Sequence, residues 1–428
     1  MIELHIEKLT HGGRGMGRLG GKAVFVPLTC PGDRVRCKVT RDKGRFAEAE
    51  LVEALETCLH GRKHPCPHYG RCGGCQWQHL PYPLQAEWKA QLLSELLARR
   101  DLFEAEQVGD LLAAPQEFTY RNRVQFKCHS TSSGVVFGFY RAGSHFVVDA
   151  ERCLLVADPI QRVFASMRQA LQSVPMPEAI PQIDIGCDAA GTVEVIVHAL
   201  PAAVETLRPW LAESAQQGGF NAFLQSGRKQ DLQTVYGSAG LTQSVGSDPV
   251  HLQAGPGCFT QVNSEQNSRM VDYVLELADL QGRERVLDLF CGIGNFSLPL
   301  ARRTSELVGV EDYATSIAYA RQNAADNDIV NAKFFVEDAR GAVLRHQQEH
   351  PFDLVLLDPP RSGCYEVMKD LLQVMPPRII YVSCDPATLV RDLQLLAQNG
   401  YTITQSRPVD LFPQTWHIES VTLLNRLD

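Results

Sequence analysis

The order in which apolar and polar residues follow one another divides this 428-residue chain into three regions. In the first region they alternate in short segments that are separated by glycine and proline turns. The segments are Ile2–Leu9, Ala23–Val26, Arg34–Thr40 and Ala47–Leu55. Strands this short, in so small a region, predict a five-stranded β-barrel of the OB type over residues 1–54.

The second region, residues 55–255, mixes helical and strand-like patterns. Apolar residues at helical spacing predict a helix over residues 80–103 and another over Pro159–Gln172. Strand-like runs lie at Arg123–His129, Val135–Tyr140, Ser144–Val148, Val193–Val197 and Asn221–Gln225. This mixture predicts an α+β domain, which we interpret as a candidate substrate-recognition insert.

The third region, residues 256–428, repeats a unit of strand, turn and helix. Arg285–Leu300 reads as a buried strand, a glycine-containing turn and a helix. Further short apolar runs follow at Leu307–Val310, Lys333–Val336, Asp353–Leu357 and Ile379–Val382. Such runs, alternating with helical segments, predict a parallel sheet covered on both faces, which is an α/β domain of the Rossmann-like type.

Acidic residues follow four of these strands. Asp288 ends the first strand, where a carboxylate disfavours a pyrophosphate and suits a cationic cofactor. Glu311 is placed to bind ribose hydroxyls, and Asp338 to accept a hydrogen bond from an adenine amino group. Asp358 ends the fourth strand. This order of acids indicates an S-adenosylmethionine-dependent methyltransferase, and the missing third glycine of a G-x-G-x-x-G turn disfavours a nucleotide-dependent dehydrogenase.

The fifth strand ends at Cys384, where Pro386 stops the strand and either Asp385 or Thr388 is placed to cap the next helix. A lone cysteine there is more often buried and inert than reactive. In a methyltransferase sheet, however, a thiolate can add to C6 of a pyrimidine and make C5 nucleophilic enough to take a methyl group. A base must then remove the C5 proton. Glu419 is the candidate base, although its spacing fits a surface carboxylate equally well.

Composition narrows the class of protein. The apolar and charged fractions, 44% and 21%, are those of a soluble globular protein. The amino terminus shows no basic and apolar leader, and no apolar run approaches a membrane span, so we expect a cytoplasmic protein. Thirteen cysteines in such a chain argue for reduced thiols, metal ligation or catalysis rather than a disulfide framework.

The formal net charge of −8 argues against nucleic-acid binding by overall charge, so such binding needs a local basic patch. Residues 1–47 supply one, with four acidic side chains and ten basic ones, namely Lys8, Arg14, Arg18, Lys22, Arg34, Arg36, Lys38, Arg41, Lys43 and Arg45. A basic OB-like barrel suits the backbone of single-stranded RNA. A solvated basic barrel without a ligand fits the same pattern.

A group of cysteines begins the second region. Cys66, Cys72 and Cys75 follow one another with the spacing C-x5-C-x2-C, and glycines between them let the chain wrap closely. Cys153, just after a predicted strand, is the best candidate for a fourth ligand. Four thiolates suit an iron–sulfur cluster or a structural zinc, and this spacing favours iron–sulfur without settling the choice.

With these features together, the sequence closely resembles the RumA-type (RlmD) 23S ribosomal RNA uracil-5-methyltransferases over nearly its whole length. The basic barrel is similar to the TRAM domain of that family. CFTQVN, residues 258–263, resembles its F-x-Q-x-N motif. SCDPATL, residues 383–389, matches its nucleophile motif, and HIES, residues 417–420, matches its base motif.

The resemblance implies roles for individual residues. It implies catalysis by Cys384 and Glu419, and a 4Fe-4S cluster on Cys66, Cys72, Cys75 and Cys153. It implies S-adenosylmethionine contacts at Gln261, Phe290, Asn295, Glu311, Asp338 and Asp358. Two positions depart from relatives, since Asp385 and Asp338 stand where Asn also occurs. Asp385 brings an additional charge near the thiolate.

The sequence therefore predicts an RNA uracil-5-methyltransferase in three parts: a barrel (1–54), a central α+β domain with an iron–sulfur cluster (55–255) and a catalytic domain (256–428). Its expected substrate is 23S ribosomal RNA, and no membrane or protein partner is evident. The alternative enzyme is a transfer RNA uracil methyltransferase. The resemblance argues against it, because this chain has both a barrel and a cysteine cluster. A non-catalytic, cluster-bearing RNA-binding protein is the alternative of another class.

Overall fold

The computed structural model describes residues 1–58, 61, 63–102, 108–228, 231–347 and 350–427. The last residue of the predicted helix, Phe103, lies outside these ranges. No helix in the described ranges is long and apolar enough to cross a membrane.

The amino-terminal region forms one curled six-stranded sheet, in the order β1-β5-β6-β4-β3-β2. Its strands are β1 (Ile2–His5), β2 (Lys8–Leu9), β3 (Gly15–Leu19), β4 (Lys22–Val26), β5 (Arg34–Asp42) and β6 (Phe46–Glu56). The sequence predicts five strands. The predicted segment Ile2–Leu9 is in fact two strands, and glycines conceal β3. Gly17 is one of them, because a Cβ there would come 2.1 Å from the carbonyl oxygen of His5.

The barrel is connected to the central region by the cysteine-bearing segment and by helix α1 (Tyr82–Ala98). The central region is a seven-stranded sheet in the order β13-β12-β11-β10-β7-β8-β9, followed by a hairpin. Its elements are β7 (Arg123–Thr131), β8 (Gly134–Tyr140), β9 (Val147–Asp149), α2 (Asp158–Ala170), β10 (Gln182–Cys187), β11 (Val193–His198), α3 (Val204–Gly218), β12 (Asn221–Gln225), β13 (Leu232–Tyr236), β14 (Leu241–Val245) and β15 (Val250–Ala254).

The two faces of the central sheet differ. Along β11, Val193, Val195 and Val197 are buried in the core under α2 and α3. Glu194 and Ile196, between them, point to the opposite face, since side chains alternate along a strand. This opposite face carries mostly polar residues and lines two cavities that are described below.

The carboxyl-terminal region is a doubly covered sheet in the order β18-β17-β16-β19-β20-β22-β21. Its elements are α4 (Ser264–Ala278), β16 (Arg285–Leu289), α5 (Ser297–Ala301), β17 (Glu306–Glu311), α6 (Ala314–Asp326), β18 (Ala332–Val336), α7 (Ala342–His346), β19 (Leu354–Leu357), α8 (Tyr365–Val374), β20 (Arg378–Ser383), α9 (Pro386–Ala397), β21 (Tyr401–Val409) and β22 (Glu419–Arg426). Strands β16 to β20 are parallel, and β22 lies antiparallel between β20 and β21. Alternate residues of these strands enter separate cores on the two faces.

Candidate active site and the neighbouring thiols

The parallel strands end at one edge of the catalytic sheet, where ligands of open α/β sheets bind. The turn after β16 is tied to the end of β17, because the backbone N–H groups of Phe290 and Cys291 donate to the carbonyl oxygen of Val310 at 2.9 and 3.0 Å. Phe290 has a φ of 68°, which is strained for a non-glycine residue. This left-handed residue lies in the turn that leaves β16 beside the end of β17.

Three carboxyl groups converge on this crevice. Burial raises the pKa of Asp288 to about 8, and the charges of Asp358 and Glu311 add to the shift. Burial likewise raises the pKa of Asp358 to about 7 and raises that of Glu311, which also lies beside Asp312. Buried carboxylates that lie close together repel one another strongly, because their surroundings have a low dielectric constant. A cationic ligand would therefore be bound favourably here.

The other predicted cofactor residues surround the crevice unevenly. The Asn295 side-chain amide exchanges two hydrogen bonds with Asn267 on α4, at 2.7 and 3.1 Å. Asp338 is exposed after β18 and accepts a hydrogen bond from the backbone N–H of Arg340 at 2.8 Å. Gln261 lies in the loop before α4, where its carbonyl oxygen accepts from the Asn122 side chain at 3.1 Å. Asn267, which the sequence did not single out, positions Asn295.

Cys384 and Glu419 are brought together by strand register. Ser383 of β20 pairs with Ser420 of β22 in an antiparallel ladder. Cys384 follows Ser383 and Glu419 precedes Ser420, so they lie opposite each other one step further along. Cys384 is partly buried and Glu419 is buried. A thiol therefore faces a carboxyl group at the edge where the cofactor crevice opens.

Both groups hold their protons firmly. Burial raises the pKa of the Cys384 thiol to about 12; Glu419 and Asp358 add to this shift, whereas Arg361 opposes it. Burial, together with Asp358, raises the pKa of Glu419 to about 8 against the opposing charges of Arg361 and Lys89. A thiol with so high a pKa is a poor nucleophile, so added positive charge or proton transfer is needed to produce the thiolate.

Asp385 caps the helix that follows Cys384; the sequence allowed either Asp385 or Thr388 in this role. Its Oδ1 accepts hydrogen bonds from the backbone N–H groups of Ala387 and Thr388 at 2.9 and 3.0 Å, at the start of α9. An aspartate is a preferred cap there and also complements the helix dipole. Its carboxylate is thus engaged with the helix beside Cys384.

The loop of residues 410–418, here called the base loop, runs directly into Glu419 and is held by residues of the other two regions. Lys89 of α1 donates to Asp410 Oδ1 at 2.7 Å and to the carbonyl oxygen of Phe412 at 3.1 Å, with both charged side chains fully buried. Backbone N–H groups of Gln76 and Trp77 donate to the carbonyl oxygen of Gln414 at 3.1 and 3.0 Å. From the barrel, Gly13 packs against Trp416 of this loop.

Neither Lys89 nor Asp410 is predicted from the sequence as a functional residue. A signal was present for Lys89, because Gln85, Lys89 and Leu93 share one face of α1 at four-residue spacing and are all buried. A lysine in an apolar helical stripe is expensive to bury unless a partner neutralises it. The partner lies 321 residues away along the chain, which no local pattern predicts.

The four candidate ligand cysteines, Cys66, Cys72, Cys75 and Cys153, line one cavity of about 620 Å³, here called the cluster cavity. They lie near enough for their charges to interact, and burial raises the pKa of Cys75 to about 12 and that of Cys153 to about 11. Within the described residues, no three metal-ligating side chains are grouped tightly enough for one metal ion. Arg361, which influences Cys384, also lines this cavity.

Family models and known proteins match this chain at both ends and along its length. A model of the TRAM domain matches residues 1–52, and a model of the tRNA (Uracil-5-)-methyltransferase family matches residues 227–427. The 23S rRNA (uracil(1939)-C(5))-methyltransferase RlmD of Alkalilimnicola ehrlichii is 36% identical over 99% of this chain and 96% of the relative. The protein of the same name from Klebsiella pneumoniae is 35% identical over 100% of this chain and 96% of the relative.

A solved structure extends the likeness to three dimensions. The Pyrococcus abyssi tRNA (uracil-54, C5)-methyltransferase, in complex with S-adenosyl-L-homocysteine, has a TM-score of 0.77 at 25% identity and covers 99% of each chain. This coverage includes the barrel, so a barrel alone does not separate the ribosomal from the transfer RNA enzymes. The prediction of a methyltransferase with an amino-terminal TRAM domain is confirmed. The chain is thus an S-adenosylmethionine-dependent methyltransferase, and it belongs to the family of the RlmD 23S rRNA (uracil-C5)-methyltransferases.

Proposed function

We propose that this enzyme methylates C5 of one uridine in 23S ribosomal RNA, at the position that corresponds to uracil 1939 in the names of its relatives. The observation that carries the proposal is the strand register that sets the Cys384 thiol opposite the Glu419 carboxyl group. Methylation at an exocyclic nitrogen requires no such pair, whereas methylation at C5 requires both a nucleophile and a base.

Cys384 and Glu419 act in sequence. The thiolate of Cys384 adds to C6 of uracil, and the electron pair of the C5–C6 double bond moves to C5 and O4 as an enolate. When bound, S-adenosylmethionine would supply an electrophilic methyl group on its sulfonium. C5 would form a bond to this methyl carbon as the S–CH3 bond breaks, and S-adenosylhomocysteine would be the leaving group. Glu419 must be ionised for the next step, and a cation that neutralises Asp358 would favour its ionised form. The carboxylate of Glu419 then removes the C5 proton, the double bond re-forms, and the Cys384–C6 bond breaks to release the thiolate.

The cofactor contacts are proposed at Gln261, Phe290, Asn295, Glu311, Asp338 and Asp358. Support comes from the three carboxyl groups of the crevice, whose pKa values are raised by burial, so that a bound cation would stabilise their ionised forms. A sulfonium bound beside Asp358 would also lie near Cys384, because Asp358 acts on the pKa of that thiol. Added positive charge there favours the thiolate.

Cys66, Cys72, Cys75 and Cys153 are proposed as ligands of a 4Fe-4S cluster. Four thiols on the wall of one cavity supply the ligand set that such a cluster takes. In a 4Fe-4S cluster each of the four cysteines would bind a different iron. When bound, the cluster would link the cysteine-bearing segment to Cys153 of the central region.

This cluster is expected to support the base loop rather than take part in the reaction. Gln76 and Trp77 follow Cys75 directly, and their backbone N–H groups hold Gln414 of the base loop. Anaerobically purified protein should be brown with about four irons per chain. Colourless protein with one tightly bound zinc would contradict the cluster, while leaving the methyltransferase proposal intact.

The three predicted parts, residues 1–54, 55–255 and 256–428, are proposed as barrel, central and catalytic domains. The TRAM match to residues 1–52 supports the first boundary. The test of function is to incubate purified enzyme and S-adenosylmethionine with separate 23S ribosomal and transfer RNA transcripts, then map 5-methyluridine by mass spectrometry. One methylated uridine in the 23S transcript is expected. Methylation of transfer RNA alone would establish the alternative activity.

A further inference from the structure

The polar face of the central sheet opens into a second cavity of about 470 Å³, here called the sheet cavity. It lies next to the cluster cavity, since Arg123, Asp184, Ile196 and Cys258 line both. The cluster cavity in turn reaches Arg361, close to Cys384 and Glu419. The two cavities thus form a continuous series that leads away from the reacting pair.

The sheet cavity is not the cofactor crevice. None of the six proposed cofactor residues, Gln261, Phe290, Asn295, Glu311, Asp338 and Asp358, is among its lining residues. Its walls come from β10, β11, the hairpin β14–β15 and the segment before α4. A ligand held here is therefore additional to the cofactor and lies away from the catalytic edge.

Glu194 is the unusual side chain in this cavity. It is only 5% exposed and its Oε1 accepts a hydrogen bond from the backbone N–H of Gly240 at 2.7 Å. No hydrogen bond or ion pair from the described residues reaches Oε2. Oε2 itself is not fully buried and is open to the cavity, so a donor group of a ligand can take the place of solvent there.

The other carboxylates of the cavity already have partners. Asp184 accepts hydrogen bonds from the side chains of Gln182 and Gln125 and lies 3.3 Å from the ring of His198. Asp188 accepts from the backbone N–H groups of Thr192 and Thr242. Glu194 is thus the acid among these that is available to a ligand.

The charge of the cavity selects the part of an RNA strand that can enter. Four carboxyl groups, those of Glu194, Asp184, Asp188 and Glu265, oppose the one guanidinium of Arg123, so a phosphate group would be repelled. Ile196 and Leu241 supply apolar surface of the kind that covers a ring face. Proteins that recognise single-stranded RNA read bases that are splayed out of the stack through their hydrogen-bonding edges.

We propose that the sheet cavity binds a second, non-reacting nucleobase of the substrate RNA, and that Glu194 selects a base with an exocyclic amino group. This rests on the proposed RNA methyltransferase activity. An amino group of adenine, cytosine or guanine donates to Glu194 Oε2, whereas uracil has no amino group, and its single base donor, N3–H, lies between two keto oxygens that a carboxylate repels. Burial also raises the pKa of Glu194 to about 7, so near neutral pH the group is present in both its neutral and ionised forms.

The experiment uses synthetic RNA fragments that contain the methylated uridine. Each neighbouring adenosine, cytidine or guanosine is replaced in turn by purine riboside, pyrimidinone riboside or inosine, which lack only the amino group. For wild-type enzyme, removal of the amino group at one position should raise KM about tenfold to a hundredfold with kcat little changed. Glu194→Gln should no longer discriminate at that position, because an amide NH₂ faces the base in place of a carboxylate oxygen.

Glu265→Gln is the matched control. Glu265 also lines the sheet cavity but is exposed at its rim, so the substitution removes the same charge without changing the buried acceptor. It should discriminate like wild type. If Glu194→Gln unfolds, Glu194→Asp, which withdraws the carboxylate by one methylene, should lose the discrimination in its place.

The proposal is overturned if no position depends on an amino group in wild type, or if Glu194→Gln retains the dependence. Absence of methylation of any fragment by wild type would instead contradict the proposed function. Direct binding of the same fragments, measured without cofactor, should show the same position and the same loss. Discrimination in kcat alone would also contradict a binding role for Glu194.

Discussion

The catalytic sheet (β16–β22) and the central sheet (β7–β13) each have seven strands but place their polar groups differently. The catalytic sheet is covered by apolar cores on both faces, so its chemistry is confined to the edge where strands end. The central sheet is covered on one face only, and its other face lines cavities. The edge of the catalytic sheet holds a few side chains in place for a reaction. The uncovered face of the central sheet offers a larger surface on which a substrate can be recognised.

This difference gives an expectation for mutants. Substitutions at the edge should abolish chemistry and leave RNA binding intact. Substitutions on the open face should alter which RNA binds and leave the chemical step intact.

Cys384→Ala should have the largest effect. Without a thiolate no adduct at C6 forms, and methyl transfer should fall by about 10⁴-fold or more, in line with the removal of other catalytic nucleophiles. RNA and cofactor should still bind, because Cys384 makes no hydrogen bond on which the described edge depends. The measurement is denaturing electrophoresis with 5-fluorouracil RNA, which should trap wild-type enzyme but not the variant. A trapped adduct with the variant would assign the nucleophile to another cysteine.

Glu419→Gln should fail at a later step and by a smaller factor. The thiolate can still add and C5 can still be methylated, but loss of the general base should slow release by about 10²- to 10⁴-fold. Enzyme should therefore accumulate covalently attached to methylated RNA, visible as a slowly migrating band with unmodified RNA. Normal turnover would place the base elsewhere and leave the role of Cys384 standing.

Lys89→Met should destabilise the protein by about 3–5 kcal/mol, because it leaves the Asp410 carboxylate buried without its cation. The matched control is Lys8→Met, which breaks an ion pair of the same 2.7 Å length to Glu95 that is partly exposed. That change should cost about 0–1 kcal/mol. Urea unfolding measures both. Equal losses would mean that Asp410 is neutralised in another way.

Much of the catalytic region could be predicted from sequence, because strands buried on both faces are short apolar runs that end visibly. Leu354–Leu357 and Arg378–Ser383 lie where their patterns predict. The facing of Cys384 and Glu419 could not be predicted, since it depends on the register between β20 and β22. In the central sheet, the strand Gln182–Cys187 was missed because Asp184 interrupts its apolar pattern.

The pH dependence of stability tests the environment of Glu419. Its pKa in the folded protein, about 8, lies above the ordinary value of 4.5, so the folded state binds a proton that the unfolded state has released between these values. The contribution of Glu419 to stability is therefore fully present below pH 4.5 and is lost as pH rises towards 8. Glu419→Gln cannot ionise and should show a flatter decline in melting temperature across this window. An unchanged slope would mean that Glu419 is solvated in the free enzyme.

The barrel has fewer unpaired basic side chains than its sequence predicts. Residues 1–47 contain ten basic and four acidic side chains, but four further acids follow directly in β6, namely Glu48, Glu50, Glu53 and Glu56. These acids pair with Arg14, Lys38, Arg36 and Arg34. Arg41, Lys43 and Arg45, here called the barrel tip, are exposed and form no ion pair with residues in the part of the chain that the structure describes. The tip is therefore the basic group of the barrel best placed to meet phosphates.

Replacing Arg41, Lys43 and Arg45 together by Ala should weaken RNA binding and reduce the slope of log affinity against log salt by about 2, since single-stranded RNA contributes about 0.7 per phosphate neutralised. The control triple, Arg34, Arg36 and Lys38 to Ala, changes net charge equally but removes side chains that already have acidic partners. It should change the slope less. Filter binding over a range of salt concentrations measures both. The tip belongs to the barrel and not to the catalytic or the central sheet, so kcat at saturating RNA should be unchanged. Equal slopes for the two triple variants would mean that the barrel acts through its overall charge.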